Sequence, residues 1–193
     1  NFKVYNRQGE VIGIFGKAVL PRNERGNGIY IPNNKAHLAI DSNDNLYAAY
    51  FQKPILHKYD EKHKLEYAVD LSFLDECKRV VKKSREQMKL AGKGGGLLMT
   101  DLYRDIQVDD NHIYIMFSFV MPEAEDKSVT EHNSIYILDK ENGRLLKKVN
   151  LDFYDNNREE IIKYLSVGHP DYLYCIDVVK GCVGKIKKME NML

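Results

Sequence analysis

The sequence has no tryptophan, only three cysteines in 193 residues, and charges that almost cancel. Each shortage excludes something. The missing tryptophan weakens any match to repeats built on a Trp-Asp dipeptide. Cys77, Cys175 and Cys182 have the spacing of no common zinc site. Cys77 falls on the apolar face of an expected helix and reads as a core thiol. Cys175 and Cys182 flank an expected turn; two reduced, half-buried thiols are the simpler reading, because a disulfide demands strict geometry. A net charge of +1 gives no global pull toward nucleic acid or a membrane surface. No apolar run approaches the ~18 residues that a membrane helix needs. The chain opens on Asn1 instead of Met, so it reads as processed or truncated. The absence of a signal peptide therefore leaves the compartment open, and a periplasmic or cell-envelope site is expected only if a signal precedes Asn1.

What is present is more telling. The 44% apolar and 30% charged shares suit an ordinary soluble protein long enough for one large domain. Thirteen tyrosines are a strand-favouring aromatic choice. The chain also repeats itself. A strand ends in Asp, a polar turn follows, then a tyrosine-bearing strand, a third strand ending in Asp, and a return strand. The clearest copy reads HLAID, SNDN, LYAAYF, ILHKYD, EKHK and LEYAVDL, between Ala36 and Leu71. A second runs DIQVDDNHIYIMF and resumes as SIYILDKENGRLLKKVNL; a weaker third is YLSVGHPDYLYCIDVVKGCVGKIKKM. The opening NFKVYNRQGEVIGIFG has the form of the last two strands of another copy. A repeated four-stranded unit of this length is the signature of β-propeller blades.

The expected organisation is all-β, with a partial blade at 1–20 and a blade at 29–71 whose first strand-like stretch is Ile29–Ile31. A helical insertion follows at 72–96, then a blade at 103–151, a short helix at 155–164 and a last blade at 163–190. Gly9, Asp44-Asn45 and Asn142-Gly143 stand where hairpin turns need left-handed backbone. Leu46–Phe51 is apolar throughout, as for a strand packed on both faces, and Ala48 and Ala49 allow close approach of neighbouring sheets. Ser72 with Asp75 resembles a capping box, and Phe73, Cys77, Val80, Val81, Ser84 and Met88 would line one helix face. Residues 122–132 read as an acidic, irregular insert between the second and third strands of their blade.

On these motifs, VYNRQGEVIGIFG is similar to the strand-turn-strand end of NHL-like and related TolB-like six-bladed propeller repeats. IDSNDNLYAAY with ILHKYDEKHKLEYAV resembles the complete repeat. The likeness is specific for blade architecture and not for any one family member, and Gly is missing from the turn at Glu61–Lys64. It implies about four blade positions, roughly the C-terminal half of a six-bladed ring. An open part-ring would leave apolar faces uncovered, so completion by further blades or another chain is expected.

Propeller hydrolases of the lactonase type hold a divalent cation with carboxylates and Asn near the innermost strands. The corresponding neighbourhoods here offer Asn34, Asp41 and Asp109 as metal ligands, with calcium the fitting cation. Arg104, Asp105, His169 and His37 are the candidate binding contacts of the channel and loop face. Against the metal, Asp41 and Asp109 recur just before a turn, where a carboxylate caps backbone amides. Lys78, Arg79, Lys82, Lys83, Arg85 and Lys89 on the rest of the expected helix read as a solvated face, and without interleaved aromatics it is no nucleic-acid platform. Gly92–Gly96 follows a helix instead of opening one, so it reads as a hinge and not a phosphate loop. The histidines show no metal or triad spacing, and the acidic loop Glu123–Asp126 reads as solvated. The leading expectation is a non-catalytic scaffold, without a cofactor, binding a protein or small molecule through its loops. The alternatives are a calcium-type lactonase, esterase or lyase, and a structural subunit completing a ring with another chain.

Overall fold

A computed structural model describes residues 2–16, 35–51, 53–79, 82, 102–122, 129–151, 162–169, 171–177 and 182–187. They group into two compact units, Asn1–Leu38 with Asn43–Leu102, and Ala39–Ser42 with Tyr103–Leu193. The fold is all-β, with one short helical stretch among the described residues. Hairpin β1 (Phe2–Tyr5) and β2 (Val11–Phe15) is followed by a four-stranded sheet. That sheet is β3 (Ala36–Ile40), β4 (Leu46–Tyr50), β5 (Ile55–Tyr59) and β6 (Leu65–Asp70), in sequence order. A second such sheet is β7 (Asp105–Val108), β8 (His112–Pro122), β9 (Val129–Asp139) and β10 (Leu145–Asn150). A three-stranded sheet closes the series, with β11 (Ile162–Ser166), β12 (Tyr172–Asp177) and β13 (Cys182–Lys187).

One device recurs in three hairpin turns, two of one length and the third a residue longer, and it sets the register. Asn6 Oδ1 accepts the amides of Gln8 and Glu10 at 3.0 and 2.9 Å. Asp60 Oδ1 accepts those of Lys62 and Lys64 at 3.0 and 2.7 Å. Asp139 Oδ1 accepts those of Glu141 and Asn142 at 2.9 and 3.1 Å. In each, the same residue's own amide donates across the turn, to the carbonyls of Glu10, Lys64 and Arg144. The left-handed position falls on Gly9, His63 and Gly143, at φ 85°, 63° and 71°. His63 thus fills the slot where the sequence lacked glycine. Its ring stacks on Phe15, with centroids 4.3 Å apart, which offsets part of the ~1–2 kcal/mol a side chain costs there. Asp44 is also left-handed, at φ 61°, as its turn demands.

Strand alternation then decides what faces what. In the first unit, Leu46, Ala48, Tyr50 and Tyr59 form a core against Phe2 and Phe15 of the β1–β2 hairpin. All five residues of β4 are buried, as an apolar run predicts. In the second unit, Tyr114, Met116, Ile135 and Ile137 pack with Leu165, Leu173 and Cys175 of the next sheet.

Several expectations change. The helix begins at Asp75, not Ser72: Leu74 N–H closes a turn on the Leu71 carbonyl, and the first helical bond runs from Lys78 N–H to Leu74. That phase buries Leu71, Leu74 and Cys77 and leaves Phe73 exposed. Most of the expected 72–96 insertion, the stretch Ile29–Ile31 and residues 155–161 of the short helix lie outside the described residues. β11 already begins at Ile162, so the expected helix is strand at its end. The ends of the insert at 122–132 are strand as well. β8 and β9 pair continuously to Pro122 and Val129, in keeping with the strand preference of Phe119, Val120, Val129 and Thr130. Cys175 is a free, buried thiol; it stands opposite Gly184, while Cys182 stands opposite Asp177.

A Cβ added at Gly9 would meet nothing within 4 Å, so Gly9→Ala isolates the left-handed backbone cost. The variant is expected to lose about 1 kcal/mol in thermal unfolding.

Candidate functional site

Within each up-and-down sheet the turn between the first two strands (β3–β4, β7–β8, β11–β12) lies at the end opposite to the one where the chain enters that sheet. The candidate residues divide between these ends. Arg104 and Asp105 stand at the entry of β7, whereas Asp109 follows its exit, about 13 Å further along the strand. In the other unit, His37 lies near the entry of β3, its ring stacked on Phe51 with centroids 4.2 Å apart. Asp41 follows the exit of β3, and Asn34 lies outside the described residues.

Asp105 holds backbone. Its Oδ1 accepts the Ile106 amide at 2.8 Å, and its Oδ2 accepts the Leu165 amide at 2.8 Å, joining β7 to β11. Burial pushes the Cys175 thiol up to about 12, and the Asp105 carboxylate adds to that shift. Cys175 is therefore a core thiol with little thiolate at neutral pH. Arg104 donates its backbone amide to the Met116 carbonyl, where the β8–β9 hairpin leaves the sheet. Tyr103 and Tyr136 both meet Phe117 edge-on there, at 5.2 and 5.3 Å.

At the turn end, Asp109 Oδ1 accepts the Asn111 and His112 amides at 3.0 and 2.9 Å. The Tyr114 hydroxyl donates to Asp109 Oδ2 at 2.7 Å, and burial with that bond holds the phenol well above its ordinary range. Asp41 forms a buried ion pair with Lys140 at 3.1 Å. The Lys140 amide donates to the Asn111 carbonyl, so Asp41, Lys140 and the Asp109 turn form one connected cluster. His169 caps the neighbouring turn, its Nδ1 accepting the Asp171 amide at 3.1 Å, and its ring packs on Tyr172. Among the described residues, no group of three or more His, Cys, Asp or Glu is placed to hold a metal ion.

Two arrangements carried no sequence signal. Lys58 is buried between the rings of Tyr47 and Tyr67, at 5.8 and 5.7 Å, with Glu66 at 2.9 Å. His57 Nδ1 lies 3.0 Å from the Tyr59 hydroxyl and 3.3 Å from that of Tyr50. Nδ1 accepts one hydroxyl proton or donates its own, according to the tautomer, and the Tyr50 hydroxyl also bonds that of Tyr59. Burial first, and then Lys53, holds His57 below its ordinary value; burial and Tyr59 hold Tyr50 far above its own. Spacing alone could not show either cluster, because each joins different strands.

Compared with known proteins, the chain matches no family model and no curated protein. No helix among the described residues is long and apolar enough to cross a membrane.

Lys140→Ala would remove the buried ion-pair partner of Asp41, so urea unfolding is expected to show a loss of about 3 kcal/mol. The exposed Lys78–Asp75 pair serves as the control, with Lys78→Ala costing less than about 0.5 kcal/mol. A lowered folded pKa means that the stabilisation from neutral His57 is complete above about pH 6.5. It is lost as pH falls through the folded value. His57→Asn keeps an acceptor near Nδ1 without titrating, so the wild-type stability curve should fall relative to the variant's in that window.

Proposed function

We propose that this chain is a β-propeller segment of the six-bladed, NHL-like class, acting as a non-catalytic scaffold that binds a protein or small-molecule ligand through its loops. The carrying observation is the employment of the carboxylates. Asp105 and Asp109 accept backbone amides, and Asp41 pairs with Lys140. A hydrolytic calcium centre would need such oxygens turned together onto one ion. Here Asp105 stands at the other end of β7 from Asp109, Asp41 lies beside the Asp109 turn but pairs with Lys140, and each holds a strand or a turn.

Recognition is assigned, within the second unit, to the entry end of the β7–β10 sheet. β7 pairs with β8 only as far as Met116, and β10 with β9 only as far as Ser134. The β8–β9 hairpin runs about 17 Å beyond Phe117. A rigid base carrying a projecting hairpin suits recognition better than turnover. A second reading, a subunit that completes its sheet stack with another chain, is favoured by the exposed apolar residues of β1–β2 and β11–β13.

Calcium titration by calorimetry, with turnover assays on simple lactones and esters, tests the scaffold reading. No saturable heat and no turnover are expected. Calcium-dependent turnover abolished in Asp41→Asn or Asp109→Asn would sink it in favour of the hydrolase.

A further inference from the structure

An asparagine followed by glycine is open to attack by the glycine's backbone nitrogen on the asparagine side chain, because glycine puts no side chain in the way. The chain has two such pairs, Asn27-Gly28 and Asn142-Gly143. The first lies outside the described residues; the second sits in the turn between β9 and β10. In the reaction the Gly143 nitrogen gives its proton to solvent base and bonds to Asn142 Cγ. The Cγ–Nδ2 bond breaks, and Nδ2 leaves as ammonia with a proton taken from water. Water then opens the cyclic imide at either carbonyl, leaving an aspartyl or an isoaspartyl residue.

The fold places the two reacting groups in different surroundings. Asn142 is exposed, so its carboxamide meets water, but Gly143 is buried. The Gly143 N–H donates to the Asp139 carbonyl at 2.8 Å, and a φ of 71° fixes it in the left-handed region. The proton that must leave is therefore held in a hydrogen bond away from solvent base. Asn142 Oδ1 accepts the Arg144 amide at 2.8 Å, which fixes the rotation of the carboxamide. Asp139 clamps the rest of the turn. Its carboxylate holds the Glu141 and Asn142 amides at 2.9 and 3.1 Å, and its own amide donates to the Arg144 carbonyl at 2.8 Å. Attack needs a bare nitrogen aligned on the carbon, which Gly143 supplies only after its bond to Asp139 opens.

We infer that Asn142 is a deamidation site gated by this turn: the closed fold holds it unreactive, and opening of the β9–β10 turn commits it to conversion. The product does not fit the closed turn. An isoaspartyl residue carries the backbone through Cγ, so the chain between Asp139 and Arg144 gains a methylene. That length falls on the pairing of Leu145 with the fully buried Leu138, and of Lys147 with Ile137. The new carboxylate also joins those of Asp139 and Glu141 in one turn. The site depends on the β9–β10 hairpin alone and stands whatever the chain binds.

The test incubates the full chain at mildly alkaline pH, in buffer and in guanidinium, and reads both Asn-Gly pairs by peptide mass spectrometry. In guanidinium, Asn142 and Asn27 should deamidate at similar rates. In buffer, Asn142 should be at least about tenfold slower than in guanidinium, because only opened molecules react. Hydrogen exchange of the Gly143 amide, followed by NMR, reads the same opening independently. Asp139→Ala removes the carboxylate that holds the Glu141 and Asn142 amides. Exchange at Gly143 and deamidation at 142 should then accelerate together by at least about threefold, with the guanidinium rate unchanged. Reaction at Asn142 as fast in buffer as in guanidinium overturns the inference, with no variant needed. So does Asp139→Ala leaving deamidation at 142 unchanged.

Discussion

The structure depends on side-chain oxygens that hold backbone amides where strands turn back. Asn6, Asp60 and Asp139 each accept two amides in the turn they open, and Asp109 does the same at an earlier turn of its sheet. These bonds satisfy donors that the ladder leaves unpaired, and they leave the next strand one register to enter. A slip of one residue would send Tyr114 and Met116 to the face that carries Ile113 and Ile115. Which residues pack on a neighbouring sheet, and which stay exposed, follows from that parity.

The same economy explains the candidate site. Carboxylates that looked available for a cation are employed in the frame. Asp105 ties β7 to the amide of Leu165 in β11, and Asp109 holds both its turn and the Tyr114 hydroxyl. Asp41 stands against Lys140, and burying both ions makes that pair sensitive to loss of either partner. Among the described residues, the β8–β9 pairing outruns that of β7 and β10.

Much of the fold was legible in the sequence because its signals are local. Gly9 and Asn142-Gly143 called their turns, Leu46–Phe51 announced a strand buried on both faces, and the spacing of Asp and Tyr announced repeated sheets. The helix start was misplaced because Ser72 and Asp75 mimic a cap, whereas burial of Leu71, Leu74 and Cys77 chose another phase. The stretch at 122–132 read as irregular because its acidic middle masked the β-favouring residues at its ends. The recurrence of Asp41 and Asp109 before a turn carries the turn role that Asp109 has, but no hint of Lys140 beside Asp41.

By itself the sequence determined the all-β class, the repeat, the turns and the alternation within each strand, since these depend on neighbours a few residues apart. Tertiary structure alone decided that Lys140 and Lys58 are buried, that His57 gathers two tyrosine hydroxyls, and that Asp105 reaches Leu165. Those contacts join strands whose separation along the chain carries no periodic signal. Only the packing of one sheet on another creates the low-dielectric space in which such pairings matter.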